Sequence, residues 1–452
     1  MRDEQSTIRN PHFQLDYLIQ DGLLLTLSPD FPETFTGSLG IQGEEIVLIQ
    51  PRDPKLPLPP AKKIIDARGF LVMPGLINTH THGAMTLFRG LADDLPLKTW
   101  LEQFIFPAEA QFINPDSVYW GTLLACAEMI LSGTTTFADG YFCMDAAVKA
   151  VDRSGLRALL CQGVLDFPMP GSPDPTQNIP IARRFVETWE GFSSRISRGL
   201  FCHSPYTCSP ETLTAVKALC REKQIPFFIH AAETQQEVSL VQSLYGKTPI
   251  LHLHDLELLD ARTVIVHAVH LNSTEMELLA QSRSAVAHCP ESNMKLASGI
   301  APVAEMLKKG IPIGLGTDGC ASNNNLDLFQ EMDTAAKLEK VHCLDPTVMN
   351  ARTVLRMATI EGAGVLDLGN RVGSLEIGKK ADLLFLDRSK PHLVPCYDPF
   401  SMLVYSAQGA DVHSVMIDGK MIMEDRKILT FDLNEVMEQV TRISGLIASS
   451  TH

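Results

Sequence analysis

Eight short apolar runs, alternating with helical stretches, constrain this chain more than any other feature. They are "LVMPGLINTH" (71–80), "GTTTFADG" (133–140), "LRALLCQGV" (156–164), "RGLFCHSP" (198–205), "IPFFIHAAE" (225–233), "TVIVHAVH" (263–270), "SAVAHCP" (284–290) and "IPIGLGTDG" (311–319). Nearly continuous apolar strands are those of a parallel sheet buried on both faces. Between them lie segments such as "SPETLTAVKALCREK" and "NSTEMELLAQS", which open on a Ser or Asn followed by acidic residues, as a helix N-cap and first turn do. Eight strand–helix units predict an α/β fold, a (β/α)₈ TIM-like barrel. Before residue 73 and after residue 369 the character changes to short strands broken by Gly, Pro and Asp, including "YLIQDGLLLTL" and "VHSVMIDGKMIME". The expected organisation is a barrel (73–369) inserted into a small β-sandwich. The two chain ends, 1–72 and 370–452, build that sandwich, and the second adds a terminal helix. At 452 residues the chain is long enough for both units.

In such a barrel, reactive groups sit where strands end, so a polar residue just after an apolar run is informative. The chain holds 14 His, and H-x-H spacing should then arise about 0.4 times by chance. It occurs twice. His80 and His82 end the first strand, where a period of two aims both into the barrel mouth. His252 and His254 instead precede the helical pattern "DLELLD" and read as packing or surface residues. The same filter selects His203, His230, His267 and Asp318, with Glu233 close behind His230. Three imidazoles and a carboxylate suit Zn²⁺, with Fe²⁺ or Mn²⁺ also compatible, and such a centre lowers the pKa of a bound water. Glu233, beside a ligand but not needed as one, suits a general acid/base; His267 suits stabilisation of developing negative charge. The chemistry is hydrolysis at an electrophilic carbon.

Composition removes other classes. A net charge of −15 argues against nucleic acid or an acidic membrane surface as partner. No run reaches the 18 apolar residues of a membrane span, and the N-terminal twenty residues carry early acidic groups rather than a leader's apolar core. Ten Cys without any C-x-x-C pair fit reduced thiols and a cytoplasmic protein.

With "PGLINTHTH" (74–82), His230, His267, "GTDG" (316–319) and "GSLEIGKKADLLFLD" (373–387) in view, the chain resembles the amidohydrolase superfamily over nearly its whole length. The resemblance implies that His80, His82, His230 and Asp318 hold one divalent metal, most simply Zn²⁺, with Fe²⁺ the alternative. It also gives Glu233, His267 and Asp318 the proton-handling roles. Binuclear members carry a Lys at the end of strand four; here "FCHSPYTC" offers His203 instead, which implies a single metal. "NTHTHGAMTLFRGLADDLPLKTWL", "FPAEAQF", "HSPYTCSPE" and "GTDGCASNNNLDLFQEM" are similar to the branch that deaminates 5-methylthioadenosine and S-adenosylhomocysteine. That branch implies Glu109 on the ribose hydroxyls, Trp100 beside the purine, and His203, His267 and Glu233 in contact with substrate. The implied reaction is hydrolytic loss of ammonia from C6 of adenine in a small-molecule nucleoside, performed by a homo-oligomer. The H-x-E…P-C-x-x-C signature of cytidine-deaminase-type enzymes is missing. One departure concerns the arginine that holds the amino-acid end of S-adenosylhomocysteine: the corresponding stretch, "LDFPMPGSPDPTQNIPIARRFVE", is Pro-rich and offers only Arg183 or Arg184. The competing readings are an aminohydrolase of a triazine, pterin or guanine, and a metal-free, non-catalytic barrel.

Overall fold

The computed structural model describes residues 14–450; the first thirteen residues of the segment read above for a leader lie outside it. From the N-terminal side come β1 (Leu15–Leu25), β2 (Thr34–Gln42), β3 (Glu45–Pro51), β4 (Ala61–Asp66) and β5 (Phe70–Pro74). The barrel follows: β6 (Leu76–Thr81), β7 (Thr134–Tyr141), β8 (Arg157–Val164), β9 (Ile196–Cys202), β10 (Phe227–Ala231), β11 (Thr263–His267), β12 (Ala285–His288) and β13 (Ile313–Leu315). The chain closes with β14 (Leu383–Asp387), β15 (Val412–Ile417), β16 (Lys420–Glu424), β17 (Lys427–Ile428) and a helix over Leu433–Ser450.

The eight barrel strands pair in parallel in chain order, and every residue of β6, β7, β8 and β10 through β13 is buried. That is why the sequence shows runs and not alternation. Between β13 and β6 the closure runs through side chains. Thr79 Oγ1 donates to the Leu315 carbonyl (2.9 Å), and the Asn78 amide donates to Thr317 Oγ1 (2.8 Å). Asn78 Oδ1 in turn accepts from the Thr317 amide (3.1 Å) and the His80 amide (3.3 Å).

"LVMPGLINTH" is not one strand but two. Phe70–Pro74 belongs to the second sheet, and the barrel begins at Leu76. Gly75 makes the junction: a Cβ there would lie 2.0 Å from Thr135 Cγ2, so no other residue fits.

The second sheet is mixed and nine-stranded, and draws on both chain ends: β14 pairs antiparallel with β5 over five residues, and β5 pairs with β1. It folds around its own core, in which Ile19, Leu39 and Ile46 of the first half meet Leu383, Phe385 and Met416 of the second. A buried ion cluster fastens it to the barrel. Arg157, at the start of β8, pairs with Asp382 (2.7 Å) and with Asp418, all three nearly fully buried. The N-caps expected from sequence are present: Ser209 Oγ accepts from the Thr212 amide, and Asn272 and Glu275 form a reciprocal capping box.

Candidate active site

At the C-terminal end of the barrel, β6, β10 and the turn after β13 bring His80, His82, His230 and Asp318 together. One ligand-type atom from each lies within 4.8 Å of all the others. His82 Nε2 and His80 Nε2 are each 3.3 Å from His230 Nε2, and both approach Asp318 Oδ1, at 3.3 and 3.4 Å. The far ring atoms decide what this cluster can hold. His82 Nδ1 donates to the Gly140 carbonyl (2.5 Å), and His230 Nδ1 donates to the His203 carbonyl (2.9 Å). With those protons committed, the facing Nε2 atoms are bare lone pairs that cannot hydrogen-bond each other. Burial also holds His80 down to about 4 and His230 well below its ordinary value, so both rings are neutral, the form a metal requires. The donor set fits one divalent cation.

Asp318 is held from several sides. Ser292 Oγ (2.7 Å) and Ser322 Oγ (2.9 Å) donate to Oδ2, and the Gly319 amide donates to Oδ1 (2.8 Å). Burial alone would raise its pKa, but the hydrogen bond with His80 and the electrostatic influence of the His82 and His267 rings carry it well below the usual range. Asp318 and His267 both have left-handed backbones, at φ 60° and 73°. Such conformations are costly for residues with a Cβ and collect at functional sites.

Glu233 and His267 stand beside the cluster, with Glu233 Oε2 3.9 Å from His267 Nε2. Burial raises the Glu233 carboxyl above its usual range, against the pull of His267. Its position is fixed by a residue that sequence reasoning missed. Both oxygens of Glu237 accept backbone amides, from Ala232 (2.9 Å) and Glu233 (2.7 Å), clamping the turn that carries Glu233. Asn293 accepts from His267 Nδ1 at 2.9 Å. Ser292 and Asn293 are neighbours on the short helix Pro290–Lys295, so one element orients both Asp318 and His267.

A cavity of about 770 Å³ opens from this cluster, bordered by His82, His203, His230, Glu233, His267, Asp318, Glu109 and Trp100. Every residue predicted to act at the site therefore borders one cavity except His80 and the two arginines. Glu109 and Trp100 come from a helical segment, Leu97–Phe112, interrupted by a π-turn at Leu101–Ile105. Glu109 is buried and accepts from Tyr141 Oη at 2.6 Å; burial raises its pKa to about 7 in spite of that bond. His203 Nδ1 lies 3.1 Å from Thr207 Oγ1. Arg183 points outward, forked onto Glu222 with two 2.9 Å bonds, and Arg184 borders a separate small cavity. His252 packs face to face on Tyr245 within a helix, far from the metal-ligand role of the first H-x-H.

A parallel eight-stranded barrel with three imidazoles and an aspartate at the strand ends is the architecture of a metal-dependent hydrolase. The chain belongs to the amidohydrolase family, whose sequence model matches residues 71–422. It is 48% identical to a 5-methylthioadenosine/S-adenosylhomocysteine deaminase of Syntrophobacter fumaroxidans over 96% of this chain and 98% of that one. It is 46% identical to a 5'-deoxyadenosine deaminase of Methanosarcina acetivorans, over 96% and 99%. Among solved structures, an adenosine deaminase from Xanthomonas campestris with bound zinc superposes with a TM-score of 0.93 at 35% identity, covering 96% of this chain and 99% of that one.

Proposed function

We propose that this protein hydrolyses adenine nucleosides at C6, consuming water and releasing ammonia to leave the hypoxanthine nucleoside. The observation that carries the reading is a buried carboxylate, Glu109, in the same cavity as the His/Asp cluster and the Glu233–His267 pair. A carboxylate presents two acceptor oxygens, which suits the two hydroxyls of a ribose. The deaminase relatives support the same substrate class.

When bound by His80, His82, His230 and Asp318, a divalent cation supplies a water acidic enough to act as nucleophile near neutral pH; we propose Zn²⁺, which the Xanthomonas structure holds. Glu233 takes one proton of that water and delivers it to N1, breaking the aromaticity of the ring. His267 Nε2 faces the oxygen that develops charge at C6. Asp318 takes the second proton, steadied by the Ser292 and Ser322 hydroxyls, and passes it to the departing amine. Trp100 and His203 line the path of the purine. The ten unbridged cysteines support a reducing, cytoplasmic setting; no helix among the described residues is long and apolar enough to cross a membrane.

The test is a screen for ammonia release from adenosine, 5'-deoxyadenosine, methylthioadenosine and S-adenosylhomocysteine, with guanine, pterins and aminotriazines alongside. Release only from the last group would replace the nucleoside reading. Glu109→Ala is expected to cripple turnover of nucleosides while sparing any free base; equal loss on both counts against the diol role. Elemental analysis of the purified protein separates a catalytic from a non-catalytic barrel, the latter holding less than about half an equivalent of metal.

A further inference from the structure

The reacting end and the ribose end of the cavity are polar; the remainder is largely apolar, with Glu102 as its acidic exception. Its other walls are apolar and come from two facing segments: Leu97, Leu101 and Phe106 on the helical stretch, and Leu165, Phe167 and Met169 on the β8–β9 connection. Two of these phenylalanines are unusually open for their size, Phe106 at 40% and Phe167 at 54% exposure. Apolar surface left exposed together at a cavity mouth marks a place where an apolar group is received. The β8–β9 wall is a built surface. Met169 and Ser172 exchange backbone hydrogen bonds (3.0 and 2.9 Å), and Asn178 bridges the Ser172 hydroxyl (2.6 Å) and the Leu165 carbonyl (2.6 Å).

Charge is distributed just as unevenly. Among the described residues that border the cavity there is no Lys or Arg, whereas Glu102, Glu109, Glu233, Glu237 and Asp318 are all there. Of the two arginines of the Pro-rich connection, Arg183 is on Glu222 and Glu187, and Arg184 borders an adjoining cavity of about 150 Å³ on the other side of Met169–Gly171, not the main one. Lys98, near the mouth, is turned toward Glu102 at 3.9 Å.

We infer that the cavity selects adenine nucleosides with a small, uncharged 5′ substituent, received between Phe106 and Phe167, and discriminates against an anionic or zwitterionic 5′ end. This rests on the deamination reading. A 5′-phosphate or an amino-acid carboxylate would lose its hydration against largely apolar walls, with no bordering cation to replace it and Glu102 on one of those walls. A hydrogen or a methylthio group loses nothing and buries apolar area. Position at the reacting end is set independently by Glu109 and the cluster, so the 5′ group has little freedom to turn away.

The experiment measures kcat/KM for 5'-deoxyadenosine, methylthioadenosine, S-adenosylhomocysteine and adenosine 5′-monophosphate on the full-length, metal-loaded protein. The uncharged pair is expected to exceed the charged pair by about tenfold or more. Equal values, or a preference for either charged substrate, would leave deamination standing and overturn the selection. Ammonia from none of the four would overturn both. A second arm uses Phe167→Arg, a rim position where a long polar side chain is accommodated. Supplying a cation there is expected to raise the ratio of S-adenosylhomocysteine to 5'-deoxyadenosine turnover about fivefold. An unchanged ratio, with the variant folded by circular dichroism, would remove the 5′ end from that rim.

Discussion

Glu233 works only if it is aimed, and the aiming belongs to other residues. Glu233→Gln removes the proton carrier and is expected to lower kcat about a hundredfold or more, with KM nearly unchanged, in an ammonia-release assay. Glu237→Gln keeps the size but replaces one acceptor oxygen with a donor, so it loses one of the two amide clamps. Its kcat is expected to fall about tenfold, and Glu237→Asp to recover less than full rate because its carboxylate is one carbon short. Glu109 gives a signature in pH. Its carboxyl is raised to about 7, and only the ionised form accepts from both ribose hydroxyls. Nucleoside kcat/KM should therefore rise as pH climbs through about 7, and Glu109→Gln should abolish that limb. The same shift acts on stability in the opposite sense: a raised carboxyl pKa favours the native state at low pH, and the contribution is lost between about 4.5 and 7. The strand-end residues His80, His82, His230 and His267 were legible because each closes or follows an apolar run, and period-two geometry aims the first pair together. Glu237, Ser292, Asn293 and Tyr141 were not, since each acts on a group from another part of the chain or on backbone amides, which leave no mark in composition. The acidic residue four positions after Glu233, on the first turn of the following helix, was the one available signal for Glu237.

Among the elements, the barrel seam determines most about the site. Asn78 ties β6 to the turn after β13, and the same side chain accepts from the His80 amide. It lies between two ligands of one cluster. Asn78→Ala is expected to destabilise the protein by about 2 kcal/mol or more, since it strands buried polar groups, and to lower metal content at a fixed external concentration. Denaturant titration and elemental analysis check the two halves separately. The alternation of strands and helices could be read from the runs, because burial on both faces forces them to be apolar throughout. The division of residues 70–81 into two strands could not. Both halves are apolar, and what separates them is the packing of Gly75 on Thr135, a contact between segments far apart in sequence.

At the scale of the whole molecule, the attachments of the barrel to the terminal sheet include β5 running into β6 and the buried Arg157–Asp382–Asp418 cluster. Arg157→Ala leaves two buried carboxylates without their counter-ion and is expected to cost about 3–5 kcal/mol, read as a lowered midpoint in urea. Chelation should lower Tm and abolish ammonia release together, and added Zn²⁺ should restore both, because a ligand bound only by the native state stabilises it. That the two ends would share one small sheet was readable from their common strand and turn character. Which strands would pair was not, since short strands carry no record of their partners. The pairing of β5 with β14 also has a consequence for the order of events at the ribosome. Every residue of the proposed metal cluster, from His80 to Asp318, is synthesised before Leu383–Asp387, yet β5, which runs into the strand bearing His80, pairs with that late segment. A nascent chain thus holds the complete cluster before the second sheet, which β5 enters, is finished. Metal uptake by a chain cut before residue 383 would therefore report how far the barrel assembles without that sheet.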